Sequence, residues 1–242
     1  KISNFYNRLI LRFFDMDEKI LKLKNEIDLD LDNYVDKEKQ STGGQRRASK
    51  GILTQDIYTK IINFAIDESG LDFNLINKKS ELSQKIKKTL PHLNLSENFN
   101  FKRKFEKFGI GNQVQYDGFL VFDDEIKMLI EYKSFTEVSM LKRVFIDAQI
   151  GKKFLPNVKH SLCMLESAFG HNDINISHSA ITLIDYLQKT LDVEMNIFIL
   201  MEGNRNSLED IGKKEFIKYI NIDELRFTID QFTIFFNSFK KS

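Results

Sequence analysis

The sequence predicts an α/β protein, a mixed central β-sheet flanked by helices with a helical part at the N-terminus. Three observations predict it. Apolar residues recur at helical spacing near both ends, short branched and aromatic runs of strand length occupy the middle, and the two kinds of segment then alternate. Of the 242 residues 42% are hydrophobic, with 22 Phe and only 2 Pro, which supplies a substantial core and differs from the composition of disordered chains.

From Ile2 to about Ile27, Phe5, Leu9, Phe13, Ile20, Leu23 and Ile27 mark one face of an amphipathic helix. Asp15 to Glu38 holds 9 acidic against 4 basic residues, an acidic face that phosphate repels. Gln40 to Gly51 reads as a mobile basic loop, polar and glycine-containing, with Arg46, Arg47 and Lys50 as its cations. Leu53, Ile57, Ile61, Ile62, Phe64 and Ala65 then predict a helix, and Glu81 to Leu90 a short one that Pro91 ends. Lys78 to Lys107 carries 9 basic and 3 acidic residues, with Phe99, Phe101, Phe105 and Phe108 interleaved.

The period then changes. Val114 to Phe122 and Ile126 to Tyr132 are strand-like runs around Asp123-Asp124-Glu125, a hairpin. Glu137 to about Ile150 returns to helical spacing through Val138, Leu141, Phe145 and Ala148. His160 to Leu165 predicts a strand, Ser177 to about Leu191 a capped helix, and Met195 to Met201 another strand. Phe216 to Ile222 is expected as a last strand, before a helix from about Asp223 to Phe239. No repeat or proline-rich linker divides the chain. Residues 1–242 are therefore expected to form one domain, with 1–50 as helical extension and basic loop and 51–242 as α/β core.

The formal charge of +1 excludes a uniformly basic wrapper for polyanions. Cys163 is the sole cysteine, so no internal disulfide forms, and no Cys/His group matches a zinc site. A reducing cytoplasm is expected, and the Lys, Ile, Asn and Phe bias looks bacterial. No apolar run approaches the ~18 residues of a membrane span, and Lys1 opens no signal pattern. The missing initiator Met leads us to expect the true N-terminus upstream.

One constellation carries chemistry. Asp117 lies on the first strand of the hairpin, and Glu131-Tyr132-Lys133 on the second. Alternation along a strand puts Glu131 and Lys133 on one face, and hairpin pairing brings Asp117 toward Glu131. Two carboxylates can hold Mg²⁺ while it keeps several waters, and the metal withdraws charge from a phosphodiester. Lys133 is placed to orient an attacking water or to offset the charge developing on phosphorus. The alternative is a cross-strand ion pair on a solvated face. Against it, Met128-Leu129-Ile130 leads into Glu131 as a buried-looking strand, where unpaired charge costs several kcal/mol.

From Gln113 to Ile150 the chain resembles the PD-(D/E)XK nuclease superfamily, whose pattern is an acid on one strand, an acid-any-lysine triplet on the next and a helix after it. Gln115-Tyr116 stand where the pattern has its proline, and the triplet Glu131-Tyr132-Lys133 is intact. The layout looks most like a type II restriction endonuclease. The resemblance implies a restriction-endonuclease-like core, a Mg²⁺ cofactor, double-stranded DNA as substrate and a homodimer. It gives Asp117 and Glu131 as metal ligands and Lys133 as the group positioning the water. It also implies a third acid from an upstream helix. Asp56 is the candidate and Glu68 and Glu81 its rivals, with a plain exposed helical position as the alternative for Asp56.

Arg46, Arg47 and Lys50 can track phosphates or contact guanine, or can be ordinary solvated charge. Lys142 and Arg143, on the helix after the triplet, face substrate under the resemblance and are surface cations otherwise. The Phe99–Phe108 stretch suits base stacking or core. His171 lacks a second histidine at useful spacing, Gly109-Ile-Gly111 lacks the rest of a dinucleotide loop, and no Walker loop encodes ATP-driven translocation. Besides restriction, two readings stay open: a structure-specific repair or recombination nuclease, and a non-catalytic DNA-binding or partner-binding α/β protein.

Overall fold

The computed structural model describes residues 2–38, 43–77, 116–169, 178–201 and 218–240, with side chains of 16–34 in the first helix and from 49 onward in the second. Helix α1 spans Ile2–Glu38 and α2 Gly43–Ser69. In α1, Ile20, Leu23, Ile27 and Leu31 are buried at spacings of three and four, one stripe of the helix. The acidic residues beside it reach neighbours: Asp30 takes Lys60 at 2.5 Å, Asp17 takes Arg226 at 2.9 Å and Asp32 takes the Tyr219 hydroxyl at 3.0 Å. Helix α2 buries Ile57, Tyr58, Ile61, Ile62 and Ala65. It stops where Gly70 adopts φ 67°, the left-handed position that closes helices most cheaply.

Strands β1 (Asn74–Ile76), β2 (Gly118–Phe122) and β3 (Glu125–Thr136) pair antiparallel in that order. The β2–β3 connection is a two-residue turn with Asp123 and Asp124 at φ 50° and 60°, the paired positive angles that match strand twist and that Asp tolerates. Beyond it the pairs Leu120↔Met128 and Val121↔Ile126 leave Lys127 as the extra residue of a bulge. Helix α3 (Val138–Phe154) carries the chain from β3 to the parallel strand β4 (Lys159–Ser167). Helix α4 (His178–Leu191) leads to β5 (Met195–Ile199), also parallel. The sheet order is β1-β2-β3-β4-β5. Helix α5 (Ile222–Asn237) follows, its first turn capped by Asn221, whose side chain accepts from Asp223 N and Glu224 N.

The mixed sheet is covered on both faces, the α/β class read from the sequence. Met128, Ile130, Tyr132, Cys163, Leu165 and Phe198 point to α1, α2 and α5. Leu162, Met164, Met195 and Ile199 point to α3 and α4. Tyr58 ties α2 to the sheet through its hydroxyl, 2.8 Å from Met164 O and 3.1 Å from Phe198 O. Much of the phenylalanine excess is spent where α5 meets the hairpin: Phe73 stacks on Phe122 at 4.6 Å and meets Phe236 at 4.6 Å and Phe239 at 5.4 Å. Cys163 is fully buried, which raises its thiol pKa and makes it core rather than chemistry. No described helix is long and apolar enough to cross a membrane.

Three elements differ from expectation. The stretch from Gly43 to Lys50 forms the first turns of α2 rather than a loop, because the helix buried from Thr54 onward extends backward through Ala48 and the arginines, good helix formers. Lys218–Asn221 form no strand, and α5 begins at Ile222; Asn221 N bonds Leu200 O just beyond β5, and its side chain is committed to capping. Strand β1 was not expected; its three residues are ordered by pairing with β2, which local pattern does not reveal. The expected helix at 81–90, Phe99–Phe108, Gly109-Ile-Gly111, His171 and Glu81 lie outside the described residues.

Candidate active site

Asp117 sits one residue before β2, next to the Gly118↔Ile130 pair that ends the hairpin register, which brings it beside Glu131. Its backbone secures that place. Asp117 N donates to Ile130 O at 3.1 Å, and Asp117 Oδ2 accepts from Tyr132 N at 2.9 Å, so bonds on either side of Glu131 hold the acid to β3. Glu131 and Lys133 share the face turned toward α3, since their β4 partners Leu162 and Met164 belong to the core on that side. Lys133 Nζ is ion-paired with Glu131 Oε1. Glu131 and Lys133 occupy the half of β3 that leads to its carboxyl end, the side on which open α/β sheets take ligands, and Asp117 adjoins them just ahead of β2.

Helix α3 closes over them. The hydroxyl of Tyr116, the residue before Asp117, donates to Asp147 O at 2.7 Å. Gly151, one turn along, makes room for it: a Cβ there would lie 2.2 Å from the Tyr116 oxygen. Between β3, β4 and α3 lies a small cleft lined by Tyr116, Glu131, Asp147 and His160 among others. His160 is 3% exposed and neither ring nitrogen has a protein partner; burial, with Lys152 adding to it, lowers its pKa to about 4.

The charges are unbalanced. Burial pushes Glu131 up to about 7; the Lys133 ammonium opposes this, and Asp117 and Asp147 add to it. Asp147 is itself raised by burial against the pull of Arg143 and Lys133. Asp117 and Asp147 thus both act on Glu131, while Lys133 draws on Glu131 and Asp147. Among the described residues no group of three or more His, Cys, Asp or Glu is placed to hold a metal ion. Asp117 and Glu131 are oxygen donors of the kind that Mg²⁺ takes when it keeps several waters.

The other candidates are not gathered here. Asp56 is exposed on α2, whose buried side packs on the opposite face of the sheet. Glu68 pairs with Lys19 at 3.1 Å. Lys50 binds Glu166 at 2.6 Å. Arg46 and Arg47 belong to the first turns of α2, their side chains outside the description. Lys142 and Arg143 are exposed on α3, Arg143 within 3.8 Å of Asp147. Sequence reasoning missed Asp147, Tyr116 and His160. For Asp147 a signal existed: it follows Val144 by three residues and precedes Ala148, so it edges the apolar stripe of the predicted helix.

The chain is similar to the type II restriction enzyme DdeI of Desulfomicrobium norvegicum (strain DSM 1741 / NCIMB 8310), 28% identical over 200 residues that cover 77% of this chain and 80% of that protein. The relationship this supports is restriction-endonuclease-like. It runs through most of both chains and so does not rest on the Asp117 to Lys133 segment alone. No family model matches the chain, and no solved structure matches it.

Proposed function

We propose that this protein is a Mg²⁺-dependent type II restriction endonuclease of the PD-(D/E)XK kind, hydrolysing phosphodiester bonds at specific sites of double-stranded DNA as a homodimer. The observation that carries the reading is Asp117 held beside Glu131, with Lys133 on the same face as Glu131 and ion-paired to it. The similarity to a type II restriction enzyme supports the same class independently.

In this reading Asp117 and Glu131 hold the metal. Bound there, Mg²⁺ supplies Lewis-acid polarisation of the scissile phosphate and of a water. The Tyr132 amide fixes Asp117 Oδ2, which orients the carboxylate before substrate arrives. Lys133 orients the attacking water through an N–H donor and offsets negative charge growing on the phosphoryl oxygens, a role suited to a half-buried ammonium. Lys142 and Arg143, exposed on α3, are available to phosphates outside the site, and Arg46 and Arg47 keep the phosphate-contact role read from the sequence. Asp56 is not assigned a ligand role, being exposed on the other helical layer.

Incubating the purified protein with plasmid DNA tests this. Discrete fragments in Mg²⁺ and intact plasmid in chelator are expected. A smear, or cutting confined to branched or flapped substrates, points to a repair nuclease; intact plasmid under both conditions defeats the enzymatic reading.

A further inference from the structure

The hydroxyl of Tyr132, the middle residue of the Glu131-Tyr132-Lys133 triplet, opens a chain of hydrogen bonds that the proposed reaction leaves unexplained. Tyr132 Oη donates to Asn77 Oδ1 at 3.1 Å, Asn77 Nδ2 donates to Thr59 Oγ1 at 2.8 Å, and Thr59 Oγ1 donates to Gln55 O at 2.7 Å. Asn77 and Thr59 each accept one bond and donate one, so the chain has a single direction and ends on the backbone of α2. Burial, with Cys163 and Asp117 adding to it, raises the Tyr132 pKa, which keeps the phenol a donor. Strand β2 passes close to the first link. A Cβ on Gly118 would lie 2.8 Å from Asn77 Oδ1 and 2.9 Å from the Tyr132 hydroxyl, so a side chain at the residue after Asp117 would displace that link.

The same tyrosine holds Asp117. Its amide donates to Asp117 Oδ2 at 2.9 Å. The β2–β3 ladder ends at the Gly118↔Ile130 pair, and at Tyr132 the ladder partner of β3 is Cys163 of β4. Bonds to β2 therefore do not fix the edge of β3 from which this amide points, and the Asp117 carboxylate stands in for a strand acceptor. Tyr132 is tied instead through its own hydroxyl, to Asn77 just past β1 and through it to Thr59 on α2. A carboxylate that binds a metal keeps its orientation through the groups that hydrogen-bond to it, and those groups set metal affinity. We propose that Asn77 and Thr59 are positioning residues for the metal ligand Asp117, acting through the Tyr132 hydroxyl and amide. The metal in this proposal rests on the nuclease reading; the link from Thr59 to Asp117 rests on the hydrogen bonds.

Two readouts test it in Asn77→Ala and Thr59→Val, with Thr59→Ser as the variant that keeps the hydroxyl. The first is hydrogen exchange of the Tyr132 amide in metal-free protein carrying isotopically labelled tyrosine, the signal being assigned by its loss in Tyr132→Phe. Tyr186 of α4, on the other face of the sheet, is the reference. Exchange at Tyr132 should be about tenfold faster in Asn77→Ala and Thr59→Val, the worth of one hydrogen bond, with Tyr186 unchanged and Thr59→Ser like wild type. The second is the Mg²⁺ concentration for half-maximal plasmid cleavage, which should rise about tenfold or more in the same two variants and by a larger factor than the rate at saturating Mg²⁺ falls. Tyr132 exchange at the wild-type rate, or faster only in step with Tyr186, would mark ordinary packing bonds and overturn the proposal; so would faster exchange with an unchanged Mg²⁺ requirement. Thr59 is half-buried, so Thr59→Val decides alone if Asn77→Ala does not fold. Wild type that leaves plasmid intact in Mg²⁺ overturns the nuclease reading and the metal role with it, whereas normal wild-type cleavage with the same Mg²⁺ requirement in both variants overturns the positioning role alone.

Discussion

Lys133 sits beside Glu131 with a third of its side chain exposed, close enough to ion-pair and open enough to meet solvent. If it orients the attacking water, Lys133→Ala should slow plasmid cleavage by about 10²-fold or more while duplex binding, measured in chelator, changes little. Equal loss of binding and cleavage would make it a mere phosphate contact. His160 makes a different prediction. Its pKa lies near 4 in the folded protein against an ordinary 6.5, so between those values the unfolded chain holds a proton that the folded one does not. Stability is complete above pH 6.5 and falls by about 3 kcal/mol as pH drops toward 4. His160→Leu should remove that slope. The melting temperature of wild type should therefore fall more than that of the variant between pH 7 and pH 4.5; parallel losses would mean that other groups set the acid sensitivity. Asp117, Glu131 and Lys133 were all legible as a pattern because a hairpin with a short turn fixes its own neighbours. His160 was not, and Asp147 only as the edge of an apolar stripe, because both approach Glu131 only through the packing of α3 and β4.

The β2–β3 hairpin and α3 work as a unit, joined by the Tyr116 hydroxyl on Asp147 O and by the absence of a side chain at Gly151. Gly151→Ala should push the tyrosine off that carbonyl and cost about 1–3 kcal/mol, the range for overpacking plus a lost buried hydrogen bond. Because Tyr116 precedes Asp117, cleavage should fall as well. Thermal unfolding and plasmid cleavage on the same preparation check both, and a variant with wild-type stability would show that α3 shifts without strain. The hairpin, α3, β4, α4, β5 and α5 were all readable from period and turn chemistry. Gly43–Lys50 was misread because its glycines and polar residues speak locally for a loop, whereas the helix they continue is stabilised by burial further along.

Among the described residues, three helices cover one face of the sheet and two the other, and Glu131 and Lys133 lie on the two-helix face. A homodimer should sediment at twice 28.4 kDa, and a mass of one chain at micromolar concentration would confine paired cutting to encounters on DNA. What the sequence by itself determined was the α/β class, the order of most elements and the Asp117, Glu131, Lys133 pattern, since each depends on residues within a strand pair or a single helix. The tertiary structure alone decided that Asp56 stays on the far layer, that Asp147 lines the cleft beside Glu131, and that Lys50 and Lys218 both reach Glu166. Those outcomes join residues from distant parts of the chain, and sheet pairing and helix packing, not local period, set the distances between them.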